Sequence, residues 1–97
     1  MSEDIYKRAL MSFGRDAQFV VAIEKCSELI RTLTKALRNG PGYDHDIIHD
    51  IAQEVGDVQV MLDQLKVYID EDGVWDNDAI LRTKINNLKK LLLDRGD

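Results

Sequence analysis

Cysteine and proline are nearly missing from this 97-residue chain: Cys26 and Pro41 are the sole examples of each. A lone cysteine excludes an intrachain disulfide. No apolar run approaches the length needed to span a membrane. The opening residues, Met1-Ser2-Glu3-Asp4, lack a basic region followed by an apolar stretch, so no signal peptide is expected and the cytosol is the expected location. A basic surplus is missing too. The formal net charge is −5 and the pI about 4.9. Coating nucleic acid needs a basic footprint, so direct nucleic-acid binding is not expected. A nucleotide substrate remains open, because Mg²⁺ brings the positive charge to an acidic site.

What is present is ordinary for a globular protein: 44% hydrophobic and 32% charged residues. The length predicts one domain, residues 1–97. A domain this small buries a modest share of its surface, and packing between subunits adds burial.

Four segments read as helices. The first covers about Glu3 to Phe13 and ends at Gly14. The second runs from Asp16, read as its cap, to about Leu37. Along it Phe19, Ile23, Cys26, Ile30, Leu33 and Leu37 alternate spacings of four and three, which makes one apolar stripe. Asn39-Gly40-Pro41-Gly42 stops it. The third, from about Asp46 to Ile69, carries Ile48, Ile51, Val55, Val58, Leu62, Leu65 and Ile69 in the same rhythm. Asp70 to Asp76, rich in acids, reads as a loop. The fourth begins near Asn77 or Asp78 with Leu81, Ile85, Leu88 and Leu92. No strand alternation and no repeat appears. Long helices with short links predict an all-α fold, a four-helix bundle of antiparallel neighbours.

Each residue advances about 100° around a helix, which places the acids. Glu54 falls inside the apolar arc of the third helix, beside Ile47, Met61 and Leu65, and Asp57 lies at its edge. A buried carboxylate without compensation is costly, so Glu54 calls for a cation, a basic side chain or a proton. Three residues apart, Glu54 and Asp57 can reach one ion. On the second helix Glu24 and Glu28 share a face nearly opposite Cys26. Arg31 and Lys35 lie near it, as on a solvated face, but so do Val20 and Val21, which points to a second packing surface.

The segment Ile23-Glu24-Lys25-Cys26-Ser27-Glu28-Leu29, followed by Glu54-Val55-Gly56-Asp57-Val58 with 25 residues between Glu28 and Glu54, resembles the MazG-like pattern Glu-Glu-x-x-Glu, spacer, Glu-x-x-Asp. Phe13-Gly14, Ala17-Gln18, Ala22-Ile23-Glu24 and Val60-Met61-Leu62-Asp63-Gln64-Leu65 are similar to the small members found in bacteria and phages. The likeness covers roughly residues 10 to 92. It implies a helical bundle that forms a homodimer or homotetramer, binds Mg²⁺ (or Mn²⁺) through the acids of both motifs, and cleaves a nucleoside or deoxynucleoside triphosphate between its α and β phosphates. The products are a monophosphate and pyrophosphate. By that resemblance Glu28, Glu54, Asp57 and Glu24 are the metal ligands, and Glu24 and Glu28 the catalytic acids. Lys25, Arg38 and Lys84 are candidate substrate contacts, Lys84 aligning loosely with a basic residue of the family's last helix; Arg38 and Lys84 read better as surface charges and Lys25 as a salt-bridge partner.

Lys25 departs from the pattern, standing where its second glutamate belongs. Glu24 takes over that role, although it points about 100° away on the helix; or Lys25 neutralises the acids or holds a phosphate, leaving a weaker or single-metal site; or catalysis is lost and the fold binds a nucleotide or a protein partner. The second reading is preferred, because the other acids are retained. Elsewhere His45 and His49 offer two of the four ligands a structural zinc needs, and read better as a polar helix start. Cys26 reads as a core residue on its stripe. Trp75 reads as an aromatic that anchors the acidic loop.

Overall fold

The computed structural model describes residues 2–39 and 45–96; the side chains of residues 2 and 3 are outside that description. Four helices follow one another: α1 (Ser2–Phe13), α2 (Arg15–Arg38), α3 (His45–Asp72) and α4 (Asn77–Asp94). Among the described residues there is no strand, and the fold is an all-α four-helix bundle. The stop expected at Gly40-Pro41-Gly42 lies outside the described residues.

The ends of the helices follow local chemistry. Gly14 has φ of 86° and joins α1 to α2 without a gap. Its N–H bonds the Leu10 carbonyl, and its own carbonyl accepts from the Gln18 N–H. A side chain at this left-handed position would be strained, so glycine is required. Gly14, not Asp16, is the N-cap residue; Asp16 sits in the first turn and pairs with Arg15 at 3.0 Å. Asp63 anchors α1, accepting from the Tyr6 hydroxyl at 3.5 Å. Helix α3 runs on through Asp72, three residues past the expected end at Ile69, and stops at Gly73 with φ of 74°. Asp76 caps α4, its side chain accepting from the Ala79 N–H at 3.0 Å.

Helices α1, α2 and α3 pack on one another, and among the described residues α4 packs against α3 alone of the helices. Lys66 reaches Asp78 across that joint at 3.2 Å. The hydrophobic side chains that reach burial are Ala22, Ala36, Met61 and Val67, and no residue of α4 is buried. The apolar stripe of α2 is therefore not a core stripe. Ile23 is 65% exposed, Ile30 64% and Leu37 77%. Cys26 is exposed on that same line, not buried as its position in the stripe had led us to expect. The line that meets α3 lies one residue earlier: Gln18, Ala22, Lys25, Leu29, Thr32 and Ala36 are buried or half-buried. Trp75, expected to anchor the acidic loop, is 67% exposed.

Gly56 is helical, and a Cβ added there meets nothing within 4 Å. Alanine is the better helix former by about 1 kcal/mol. Gly56→Ala is expected to raise the melting temperature by roughly 4–8 °C in a thermal melt, the shift a domain of this size shows per kcal/mol.

Candidate metal centre

Helices α2 and α3 run antiparallel. Lys25 and Glu28, midway along α2, meet Asp57, while Lys35 and Asn39 near its end share a cleft with Asp46 and Asp50 at the start of α3. That pairing brings Glu28 of one helix against Glu54 and Asp57 of the other. One carboxylate oxygen from each of the three lies within 4.8 Å of the others. Glu28 and Glu54 are half-buried and Asp57 is exposed.

Three carboxylates this close repel one another, and the structure shows how the charge is partly met. The Lys25 ammonium stands 3.7 Å from Glu28 Oε2 and 3.8 Å from Asp57 Oδ2. It does not satisfy Glu54, whose Oε2 is shielded from solvent and has no hydrogen-bond partner. Desolvation pushes the Glu54 carboxyl above its ordinary value of 4.5, and the negative charges of Glu28 and Asp57 push it the same way, as does a hydrogen bond that a protonated Glu54 shares with Glu28. Lys25 opposes these but does not outweigh them.

The raised value has a definite sign in a stability curve. A carboxyl that holds its proton more firmly in the folded chain than in the unfolded one stabilises the fold fully below the ordinary value of 4.5, and that contribution fades as pH rises through the raised value. With EDTA present, melting temperature should fall with increasing pH across that window more steeply in the natural chain than in Glu54→Gln. Equal slopes would show that Glu54 does not titrate as its surroundings dictate.

The donor set fits a hard divalent cation. Mg²⁺ takes oxygen ligands near 2.1 Å, which sets neighbouring ligand oxygens roughly 3 to 4 Å apart, so the three acids need only a small contraction to share one ion. The orphaned oxygen of Glu54 is where such an ion has most to offer.

Compared with known protein families, curated proteins and solved structures, the chain matches none.

The remaining candidates from the sequence fall elsewhere. Glu24 is exposed, four residues before Glu28, and is not among the acids that converge. Arg38 and Lys84 are exposed, and neither lines the cleft beside Glu54. His45 and His49 are exposed; His49 Nε2 lies 3.3 Å from the Gln53 amide and belongs to no metal-ligating group among the described residues. That cleft instead brings in residues the sequence did not single out. It is an open space of about 410 Å³ whose lining includes Arg31, Lys35, Gln53 and Glu54. Arg31 and Lys35 follow Glu28 by three and seven residues, the spacing of one helix face.

Proposed function

We propose that this chain is a Mg²⁺-dependent nucleoside or deoxynucleoside triphosphate pyrophosphohydrolase of the MazG-like type. The observation that carries the reading is the convergence of Glu28, Glu54 and Asp57 from two helices, with the buried oxygen of Glu54 unpartnered. These three would hold the metal, which when bound neutralises charge developing on the phosphates and makes a bound water more acidic. Glu28, at the cluster, would be the carboxylate that takes a proton from such a water. Glu24, four residues earlier and outside the group, is left a supporting part at most. Arg31 and Lys35, opening beside Glu54, supply cations for the outer phosphates of the substrate.

Lys25 favours a second reading. An ammonium docked on two of the three acids weakens the site for a divalent ion, and a chain so disabled would act as a nucleotide-binding or protein-interaction module. The two readings part in one assay. The purified protein is incubated with Mg²⁺ and a panel of ribo- and deoxynucleoside triphosphates, and pyrophosphate is measured. Release that depends on the metal supports the enzyme and names its substrate. Nucleotide binding without release, in Mg²⁺ and in Mn²⁺, supports the module.

A further inference from the structure

Helix α4 carries an apolar stripe and buries none of its residues. Leu81, Ile85, Leu88 and Leu92 follow one another by four, three and four, which puts them on one face. Asn77 and Ala79, in the first turn, are half-buried; every described residue from Ile80 to the end of the helix is exposed apart from none of them. The helix is therefore held at its first turn and stands off the rest of the chain beyond it. A compact 11.1-kDa chain exposes roughly 5,700 Å², and this one exposes 7878 Å². The radius of gyration is 16.7 Å, against about 12.5 Å for a compact chain of this length. An 18-residue helix, about 27 Å long and held at one end, contributes to both excesses.

The held end fixes a register. Lys66 of α3 meets Asp78 of α4 at 3.2 Å. Back along α3 from Lys66, by steps of four, four, three and four, stand Leu62, Val58, Val55 and Ile51. Forward along α4 from Asp78, by steps of three, four, three and four, stand Leu81, Ile85, Leu88 and Leu92. Steps of three and four keep to one face of a helix. Laid antiparallel from the Lys66–Asp78 contact, the two stripes meet in pairs: Leu62 with Leu81, Val58 with Ile85, Val55 with Leu88 and Ile51 with Leu92. Leu62 and Val55 are exposed, and Val58 and Ile51 half-buried, so the α3 stripe has room for a partner. Residues 73–76 link the two helices, and four residues lie within the two to five that join antiparallel neighbours.

We propose that α4 is a hinged strap that closes along α3 of its own chain, turning about residues 73–76 and pairing these two stripes. The structure shows the strap open, held by the Lys66–Asp78 pair. Closure takes eight apolar side chains further out of water, which drives it. The metal centre lies on another side. Asp57 follows Val55 by two residues, about 200° round α3, so a closed α4 leaves the acids and the cleft of Arg31 and Lys35 open. The strap sets how much apolar surface the chain presents: open, both stripes are offered to any partner; closed, each hides the other. Nothing in the closure depends on the chemistry of the site.

The test is a cross-link within the full chain. Cys26→Ser removes the natural thiol, and Val55→Cys is combined with Leu88→Cys, a pair far from the held end. Val55 is 49% exposed and Leu88 57%, so neither change empties a core. A disulfide needs the two Cβ atoms within about 4.5 Å of each other, which the closed strap provides. Under mild oxidation in dilute solution the pair should form a bond within one chain. It should form at least about tenfold faster than in Val55→Cys with Lys90→Cys, whose second thiol lies about 200° round α4 from Leu88. Adding Leu88→Cys to Cys26→Ser without Val55→Cys gives the background rate of bonding between chains. No bond within the chain, or equal rates for the Leu88 and Lys90 partners, overturns the proposal. So does a bond that forms between chains only, with a rate that rises with protein concentration, because the α3 stripe then belongs to a second copy.

Discussion

Lys25→Glu is expected to tighten Mg²⁺ binding roughly ten- to a hundredfold. The ammonium sits within 4 Å of two of the three acids, so it repels a divalent ion held between them. Reversing a unit charge about 5 Å from such an ion changes their interaction by about 3 kcal/mol in water, and physiological salt reduces that. The same substitution should lower stability when EDTA is present, because four carboxylates then face one another without a counter-charge. Two opposite effects from one change are hard to obtain unless the lysine belongs to the site. Calorimetric titration and a thermal melt in EDTA measure them together. At limiting Mg²⁺, pyrophosphate release should rise with the affinity. If affinity and melting temperature both stay put, Lys25 is a solvated surface charge whose contacts with Glu28 and Asp57 contribute nothing, as many exposed ion pairs do.

Glu54→Gln should cut metal-dependent pyrophosphate release about a thousandfold or more, since a metal supplies several kcal/mol to such a reaction and each 1.4 kcal/mol is a factor of ten. Its effect on stability runs the other way. In EDTA the variant should melt higher than the natural chain at neutral pH, because it removes a carboxylate that burial and two neighbouring acids hold in an unfavourable state. In saturating Mg²⁺ the order should reverse. A ligand at a hundredfold excess over its Kd adds about 2.7 kcal/mol to the native state, worth roughly 10–20 °C in a domain this small. A variant that melts lower in both conditions would mark Glu54 as a structural residue. The crossing of the two curves separates a binding site from an acidic surface.

The helices were legible because apolar spacings of three and four leave few alternatives, and Phe13-Gly14 marks the first break clearly. The content of each stripe was not. Ile23, Cys26, Ile30 and Leu37 look like a core line because periodicity shows which face is apolar, but not whether this chain or another one covers it. The true line toward α3 contains Ala22, Ala36, Gln18 and Lys25, whose composition does not signal burial. Glu54 was legible for a physical reason: an acid inside an apolar arc demands compensation, and in the structure its Oε2 has no hydrogen-bond partner. Arg31 and Lys35 were passed over because a basic residue on a solvated face and one beside a phosphate cleft have the same sequence signature. Glu24 was weighted by its place in a motif; it shares a face with Glu28 but stands one turn, about 6 Å, further along the helix, and is not among the acids that meet.

The most direct test of the account is calorimetric titration of the natural chain and Glu54→Gln with Mn²⁺ alone. No nucleotide is needed, so the result does not depend on choosing the right substrate. A saturable site in the natural chain, lost or weakened at least about tenfold in Glu54→Gln, is the predicted result for a carboxylate that ligates the ion directly. No saturable binding by the natural chain, or equal binding by both proteins, would contradict a metal centre at Glu28, Glu54 and Asp57 and the chemistry built on it.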